Sequence, residues 1–128
     1  FELDPDQAPI TVANMLAYVN SGFYNGTLFH RTVPNFVVQG GDPRGDGNGG
    51  TSWRGGSLRE EIGPRKYVRG SLGMPRNENP DSGGGQIFVT HRATPHLDGR
   101  YTIFGKVAGS YAALLRVTQG DVIRSIHR

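Results

Sequence analysis

The sequence predicts a mainly β domain, a closed or nearly closed barrel of short strands capped by helices. Glycine is heavy at 20 residues, with 8 prolines, a mix that suits tight turns better than a helix bundle. Short stretches rich in apolar or β-branched residues recur at Leu28–Val33, Phe36–Gln39, Val68–Met74, Gln86–Thr90, Thr102–Val107 and Asp121–Ile126, the pattern of strands separated by turns. Only one segment carries a clear helical period. Many short strands with one or two helices fit a barrel.

Taken in order, Phe1-Glu2-Leu3 reads as the tail of a strand already under way, so a natural N-terminus and any targeting segment are expected upstream. The helix follows: Pro9 suits a first turn, Val12, Leu16 and Val19 share one face with Met15 beside them, and Gly22 marks the C-cap. Asn25-Gly26 signals a turn. Glycine-rich stretches at 40–56 and 77–85 predict long functional loops. A second, shorter helix is expected from Ser110 to about Arg116, carrying Leu114 and Leu115. No repeat or linker divides the chain, so residues 1–128 form one domain.

Composition removes several functions. There is no cysteine, so disulfides, thiolate metal sites and a cysteine nucleophile are excluded. The net charge is +3, but twelve of the fourteen basic residues are arginines scattered along the chain. A nucleic-acid binder would show a dense basic stripe, so none is expected as partner. No apolar run approaches the roughly 20 residues that span a bilayer, and no signal peptide is visible. No membrane partner is expected, and the cytoplasm is the favoured compartment.

Short motifs also fail. Gly45-Asp46-Gly47-Asn48-Gly49-Gly50 fits G-x-G-x-x-G, but Thr51-Ser52-Trp53-Arg54-Gly55-Gly56 cannot open the helix a dinucleotide site needs. A calcium loop from Asp42 would put Arg44 at a ligand position and Trp53 in place of the bidentate glutamate. His91 and His96 lack a third zinc ligand. No serine sits in a G-x-S-x-G elbow. No metal or cofactor is expected.

Three phrases stand out. They are Phe29-His30-Arg31-Thr32-Val33-Pro34-Asn35-Phe36-Val37-Val38-Gln39-Gly40-Gly41-Asp42-Pro43, Asp81-Ser82-Gly83-Gly84-Gly85-Gln86-Ile87-Phe88-Val89-Thr90, and Pro95-His96-Leu97-Asp98-Gly99-Arg100-Tyr101-Thr102-Ile103-Phe104-Gly105-Lys106-Val107. In this order and spacing they resemble the cyclophilin family, and the likeness extends from the first residue to the last strand. It implies a closed eight-stranded antiparallel barrel capped by two helices, with the N-terminal strand missing or truncated here. It implies a cofactor-free peptidyl-prolyl cis/trans isomerase that acts on X–Pro bonds in unfolded or flexible chains and so assists folding. By the same resemblance Arg31 is the catalytic residue. Phe36, Phe88 and Leu97 line the proline pocket, Gln39 bonds the substrate backbone, and the backbone around Arg76 pairs with the peptide as an added strand. Val37, Gly47, Gln86, His96 and Tyr101 complete the groove.

Several positions depart from the commonest family pattern, among them one extra residue between Met74 and Gln86 and an unusual Pro75. His96 stands where many members carry tryptophan, Tyr101 replaces a frequent histidine and Val37 a frequent methionine. A cyclosporin-like cyclic peptide is therefore expected to bind with weakened affinity. Read without the resemblance, Phe36 and Phe88 are core residues, Gln39 a polar strand end, and Trp53 and Tyr67 packing residues. His30 is expected to be structural, its ring satisfied by a neighbouring backbone group. The alternative class is a non-catalytic adaptor using the same groove, which would not require the arginine.

Overall fold

A computed structural model describes residues 1–48 and 50–128. The chain runs through β1 (Glu2–Leu3), α1 (Pro9–Ser21), β2 (Arg31–Val33), β3 (Val37–Gly40), β4 (Ser71–Gly73), β5 (Ile87–Thr90), a 3₁₀ turn (Pro95–Leu97), β6 (Ile103–Lys106) and α2 (Ala112–Arg116). The strands form one antiparallel sheet in the order β1-β6-β4-β5-β3-β2. The fold is thus mainly β with two helices, and the ladder runs from β1 to β2 without joining them among the described residues. The strand tail expected at Phe1-Glu2-Leu3 is β1, its two residues Glu2 and Leu3 paired with Lys106 and Gly105. No helix among the described residues is long and apolar enough to cross a membrane.

Strand alternation divides the buried side chains between two faces. Val38, Leu72, Ile87, Val89 and Phe104 join the main core with Val12, Met15, Tyr18 and Val19 of α1 and Leu114 of α2. Their sequence neighbours Val37, Phe88 and Ile103 form a second cluster with Tyr67 and Leu97 on the opposite face. All four residues of β5 are buried, which explains why Ile87-Phe88-Val89-Thr90 reads as a continuous run rather than an alternating one.

The hairpin between β2 and β3 is set by its turn. Pro34 occupies the second turn position and Asn35 adopts the left-handed region at φ 60°, with Phe36 N–H donating to Val33 O at 3.0 Å; both residue types suit those positions. The helix α1 ends as expected, on Gly22 at φ 76°. Its start is different. No side chain of the N-cap residue Ala8 serves it; Glu61, fifty residues on, accepts from Ile10 N–H at 3.1 Å, Thr11 N–H at 2.6 Å and the Thr11 hydroxyl at 2.7 Å. A carboxylate there satisfies exposed amides and meets the positive end of the helix dipole.

Asp121–Ile126 is not a strand. It lies against 26–29 through Gly26 N–H to Ile123 O, Ile123 N–H to Thr27 O and Phe29 N–H to Asp121 O, but forms one isolated bridge, Val122 with Leu28. The ladder stops because Thr27 turns back, donating from N–H and hydroxyl to Tyr24 O. The first half of Leu28–Val33 is irregular for the same reason, and β2 begins at Arg31.

Replacing Glu61 with Gln or Ala removes this long-range cap. Thermal unfolding is expected to show a loss of about 1 kcal/mol for Glu61→Ala and a smaller loss for Glu61→Gln; an unchanged midpoint in both would show that the α1 amides do not need the carboxylate.

Candidate active site

The register of the sheet brings distant parts of the sequence into one row. Arg31 lies opposite Gln39, Gln39 opposite Phe88, and Phe88 opposite Gly73. Paired residues share a face, so guanidinium, amide and phenyl ring stand side by side across β2, β3 and β5. This row forms one side of a cavity of about 330 Å³ lined by Arg31, Phe36, Val37, Gln39, Pro75, Arg76, Phe88, His96, Leu97 and Tyr101. Every one of these except Pro75 is expected from the sequence.

The cavity has an apolar floor and a polar rim. Val37, Phe88 and Leu97 are buried, and Phe36 stands at the edge with its ring 5.3 Å from that of His96. The 3₁₀ turn presents Leu97 to the floor and leaves His96 exposed. Tyr101 meets Phe88 edge-on at 6.1 Å. Behind the floor Tyr67 stacks on Phe88 at 5.6 Å, and its hydroxyl donates to Thr102 O at 3.1 Å. Burial pushes the Tyr67 phenol well above its ordinary range, so it serves as a neutral prop. Gly73 is required here: a Cβ would lie 2.3 Å from Phe88 Cζ and 2.6 Å from the Tyr67 oxygen.

The two arginines of the cavity differ. Arg76 is fastened as wall, its guanidinium 4.4 Å from the Tyr101 ring centre and donating to Arg100 O at 3.0 Å and Asn77 O at 2.9 Å. Arg31 is exposed, and its hydrogen bond to Gln39 Oε1 is 3.5 Å long. It is a charged fork held loosely over an apolar pocket, with donors left to meet an incoming group.

Gly47 and Gln86 lie next door, in a more polar cavity of about 390 Å³ that shares Gln39, Pro75 and Arg76 with the first. Gln86 joins the two: its Nε2 donates to Gly47 O at 3.0 Å, and its Oε1 accepts from Gln39 Nε2 at 3.0 Å. The loop carrying Gly47 is folded around the carboxylate of Asp42, which accepts from the N–H groups of Arg44, Asp46 and Gly47. Gly49 of the glycine motif lies outside the described residues. Sequence reasoning misses Pro75, whose signal was its odd place between Met74 and Arg76, and it misses the roles of Gly73 and Tyr67.

His30 departs from expectation. Its Nδ1 is buried without a hydrogen-bond partner, and its ring lies where a Cβ on Gly47 would approach Nε2 to 3.4 Å. Among the described residues no carbonyl reaches Nδ1. Burial lowers the pKa of His30, and burial likewise lowers that of His91.

A larger cavity of about 460 Å³ lies between the outer face of α1 and Trp53, lined by residues such as Ile10, Ala13 and Leu58. Apart from Arg54 and Asn14 it offers few directed donors, and it holds none of the row just described. The Arg31 cavity is the better candidate because charge, amide and apolar floor converge there. No nucleophile with an adjacent base lines it, so the arrangement suits binding and electrostatic stabilisation rather than covalent chemistry.

Comparison with known proteins gives a consistent result. A family model described as cyclophilin type peptidyl-prolyl cis-trans isomerase/CLD matches residues 1–126. The chain is 41% identical over 126 residues to peptidyl-prolyl cis-trans isomerase B of Bacillus subtilis, covering 98% of this chain and 87% of the relative. It is 43% identical to the isomerase-like 2 protein of Cryptococcus neoformans, of whose length it spans 22%. Among solved structures, a cyclophilin type isomerase of Cryptosporidium parvum, crystallised in the presence of the dipeptide Ala-Pro, matches with a TM-score of 0.86 at 37% identity, covering 95% of this chain and 83% of that one.

Two outcomes follow from the geometry. Gly73→Ala is expected to force Phe88 and Tyr67 apart, costing about 1–3 kcal/mol in thermal unfolding and shifting the Phe88 ring resonances; wild-type stability and shifts would contradict the close packing. Because burial lowers the pKa of His30 and His91, the unfolded chain binds more protons than the fold below its histidine pKa of 6.5. Stability is therefore present above that pH and lost as pH falls through the lower folded values. The melting temperature should drop between about pH 7.5 and 5.5, and the drop should shrink when both residues are changed to Gln.

Proposed function

The chain belongs to the cyclophilin family of peptidyl-prolyl cis-trans isomerases, and we propose that it uses the Arg31 groove to speed rotation about X–Pro bonds in unfolded or flexible protein segments. The single observation that carries this is the cross-strand row of Arg31, Gln39 and Phe88 over an apolar cavity. The Ala-Pro dipeptide in whose presence the Cryptosporidium parvum relative was crystallised supports a proline-containing substrate.

The chemistry needs little more. Amide resonance sets a barrier of about 18–20 kcal/mol, and the bond turns more easily once the prolyl nitrogen loses conjugation and becomes pyramidal. The floor of Val37, Phe88 and Leu97, with Phe36 at its edge, holds the pyrrolidine ring. Gln39 holds the substrate backbone. Arg31 then donates to the prolyl nitrogen, whose lone pair becomes available only when the amide twists. That interaction is stronger in the transition state than in either planar state, which is the requirement for catalysis. An acceleration of 10⁵-fold asks for only about 7 kcal/mol, within reach of one charge in a water-poor pocket. No bond is made or broken, so the cycle calls for no nucleophile.

We also read the six-stranded sheet as the larger part of the closed eight-stranded barrel of the family, with 120–123 against 26–29 as a further stretch of wall. The hydrogen bonds between those segments support this.

Exchange NMR on an Ala-Pro peptide tests the reading. Wild-type protein should give fast cis/trans exchange, and Arg31→Ala should lower turnover by at least about 10²-fold while the peptide still binds. Binding without acceleration by the wild type would overturn the isomerase in favour of an adaptor. At the rim, His96→Trp should raise affinity for a cyclosporin-like cyclic peptide by about tenfold in calorimetric titration, through added aromatic surface beside Phe36; unchanged affinity would show that this position does not set it.

A further inference from the structure

We propose that the buried carboxylate of Asp42 is a positioning residue for Arg31, acting through a directed chain of hydrogen bonds that runs Asp42–Gly47–Gln86–Gln39–Arg31. This rests on the isomerase reading in one respect, that Arg31 is the catalytic group.

The chain is written in donors and acceptors. Asp42 is 1% exposed, and its Oδ2 accepts from Gly47 N–H at 2.7 Å and Asp46 N–H at 3.1 Å, while Oδ1 accepts from Arg44 N–H at 2.9 Å. Both carboxylate oxygens act as acceptors here, and the Gly47 amide points inward to meet one of them. Gly47, at φ 86°, holds a backbone conformation that few other residues take up. Its carbonyl accepts from Gln86 Nε2 at 3.0 Å. Gln86 Oε1 accepts from Gln39 Nε2 at 3.0 Å, and Gln39 Oε1 accepts from Arg31 at 3.5 Å.

The direction of this chain matters because a primary amide has two ends of nearly equal shape and opposite polarity. Gln39 alone could present either end to Arg31. With its NH₂ turned inward, two donor groups would face each other and the guanidinium would be pushed off the groove. The carbonyl of Gly47 takes the NH₂ end of Gln86, and the other end of Gln86 takes the NH₂ end of Gln39. Asp42 fixes the carbonyl by fixing the loop. The polarity seen by Arg31 is therefore set at a carboxylate that neither touches it nor lines its cavity, and linked bonds of this kind reinforce one another.

The same loop borders the cavity that adjoins the proline pocket. A general loosening of the loop would weaken peptide binding and turnover together, whereas loss of polarity at Gln39 would misdirect Arg31 and lower turnover by more than the lost backbone contact lowers binding. The two are separable by splitting turnover from affinity.

The experiment uses the whole chain with the Ala-Pro peptide, comparing wild type, Asp42→Asn, Gln86→Met, Arg31→Ala and the double variant Asp42→Asn/Arg31→Ala. The expected result is that Asp42→Asn and Gln86→Met each lower turnover at saturating peptide about tenfold, a larger change than in the peptide dissociation constant, and that the Gln39 side-chain amide resonances shift in both. The double variant should be no slower than Arg31→Ala alone, since Asp42 acts only through Arg31. If Asp42→Asn does not fold, Gln86→Met with its own Arg31→Ala double variant carries the same comparison. Full turnover in the folded relay variants would overturn the proposal, and so would losses that multiply in the double variant. Full turnover in Arg31→Ala would strike out the role of Arg31 itself, and the relay with it.

Discussion

The register of the β2–β3–β5–β4 ladder is the constraint on which the rest depends. Side chains alternate faces with a period of two, so a slip of one residue would exchange the two faces completely. Arg31, Gln39 and Phe88 would then turn toward α1, and Thr32, Val38 and Val89 would face the groove. The structure fixes the register twice over. The Pro34-Asn35 turn sets the pairing of Arg31 with Gln39. Burial on both faces makes a slip costly, because the main core and the groove-side cluster each need their own half of the same strands.

Around that row, the fold is held by polar groups acting at long range. Glu61 closes the open end of α1. Asp98 accepts from Tyr67 N–H at 2.7 Å and so ties the segment after the 3₁₀ turn to the residue that props Phe88. Asp42 gathers the loop beside Gln86. Each of these carboxylates satisfies backbone donors that a loop-rich chain would otherwise leave unpaired. Loops this long can border a binding groove only if something holds them still, and backbone-to-carboxylate bonds do so without covering the groove.

Much of this was legible in the sequence, and what was not has identifiable causes. The bounds of α1 follow from Pro9 and Gly22, both of which act locally. Most walls of the cavity are legible, because the three phrases carry their residues in fixed spacing. The faces of β5 were not legible: Ile87-Phe88-Val89-Thr90 is buried on both sides, so periodicity cannot tell a core ring from a pocket ring. Gly73 looks like any strand glycine until Phe88 and Tyr67 close on it. Glu61 caps a helix fifty residues away, which no local pattern records. Asp121–Ile126 has the composition of a strand, but its partner segment turns back at Thr27 toward Tyr24. The sequence suggests a backbone partner for the His30 ring, and among the described residues Nδ1 has none.

The most direct test of the account is where a proline ring binds. Intermolecular NOEs between a saturating Ala-Pro peptide and methyl- and aromatic-labelled protein would locate it. Contacts are expected from the pyrrolidine protons to Val37, Phe88 and Leu97, with Phe36 at the edge and Arg31 Nε–H perturbed. Contacts to Ile10, Ala13 and Trp53 instead would place the ligand in the cavity beside α1 and contradict it.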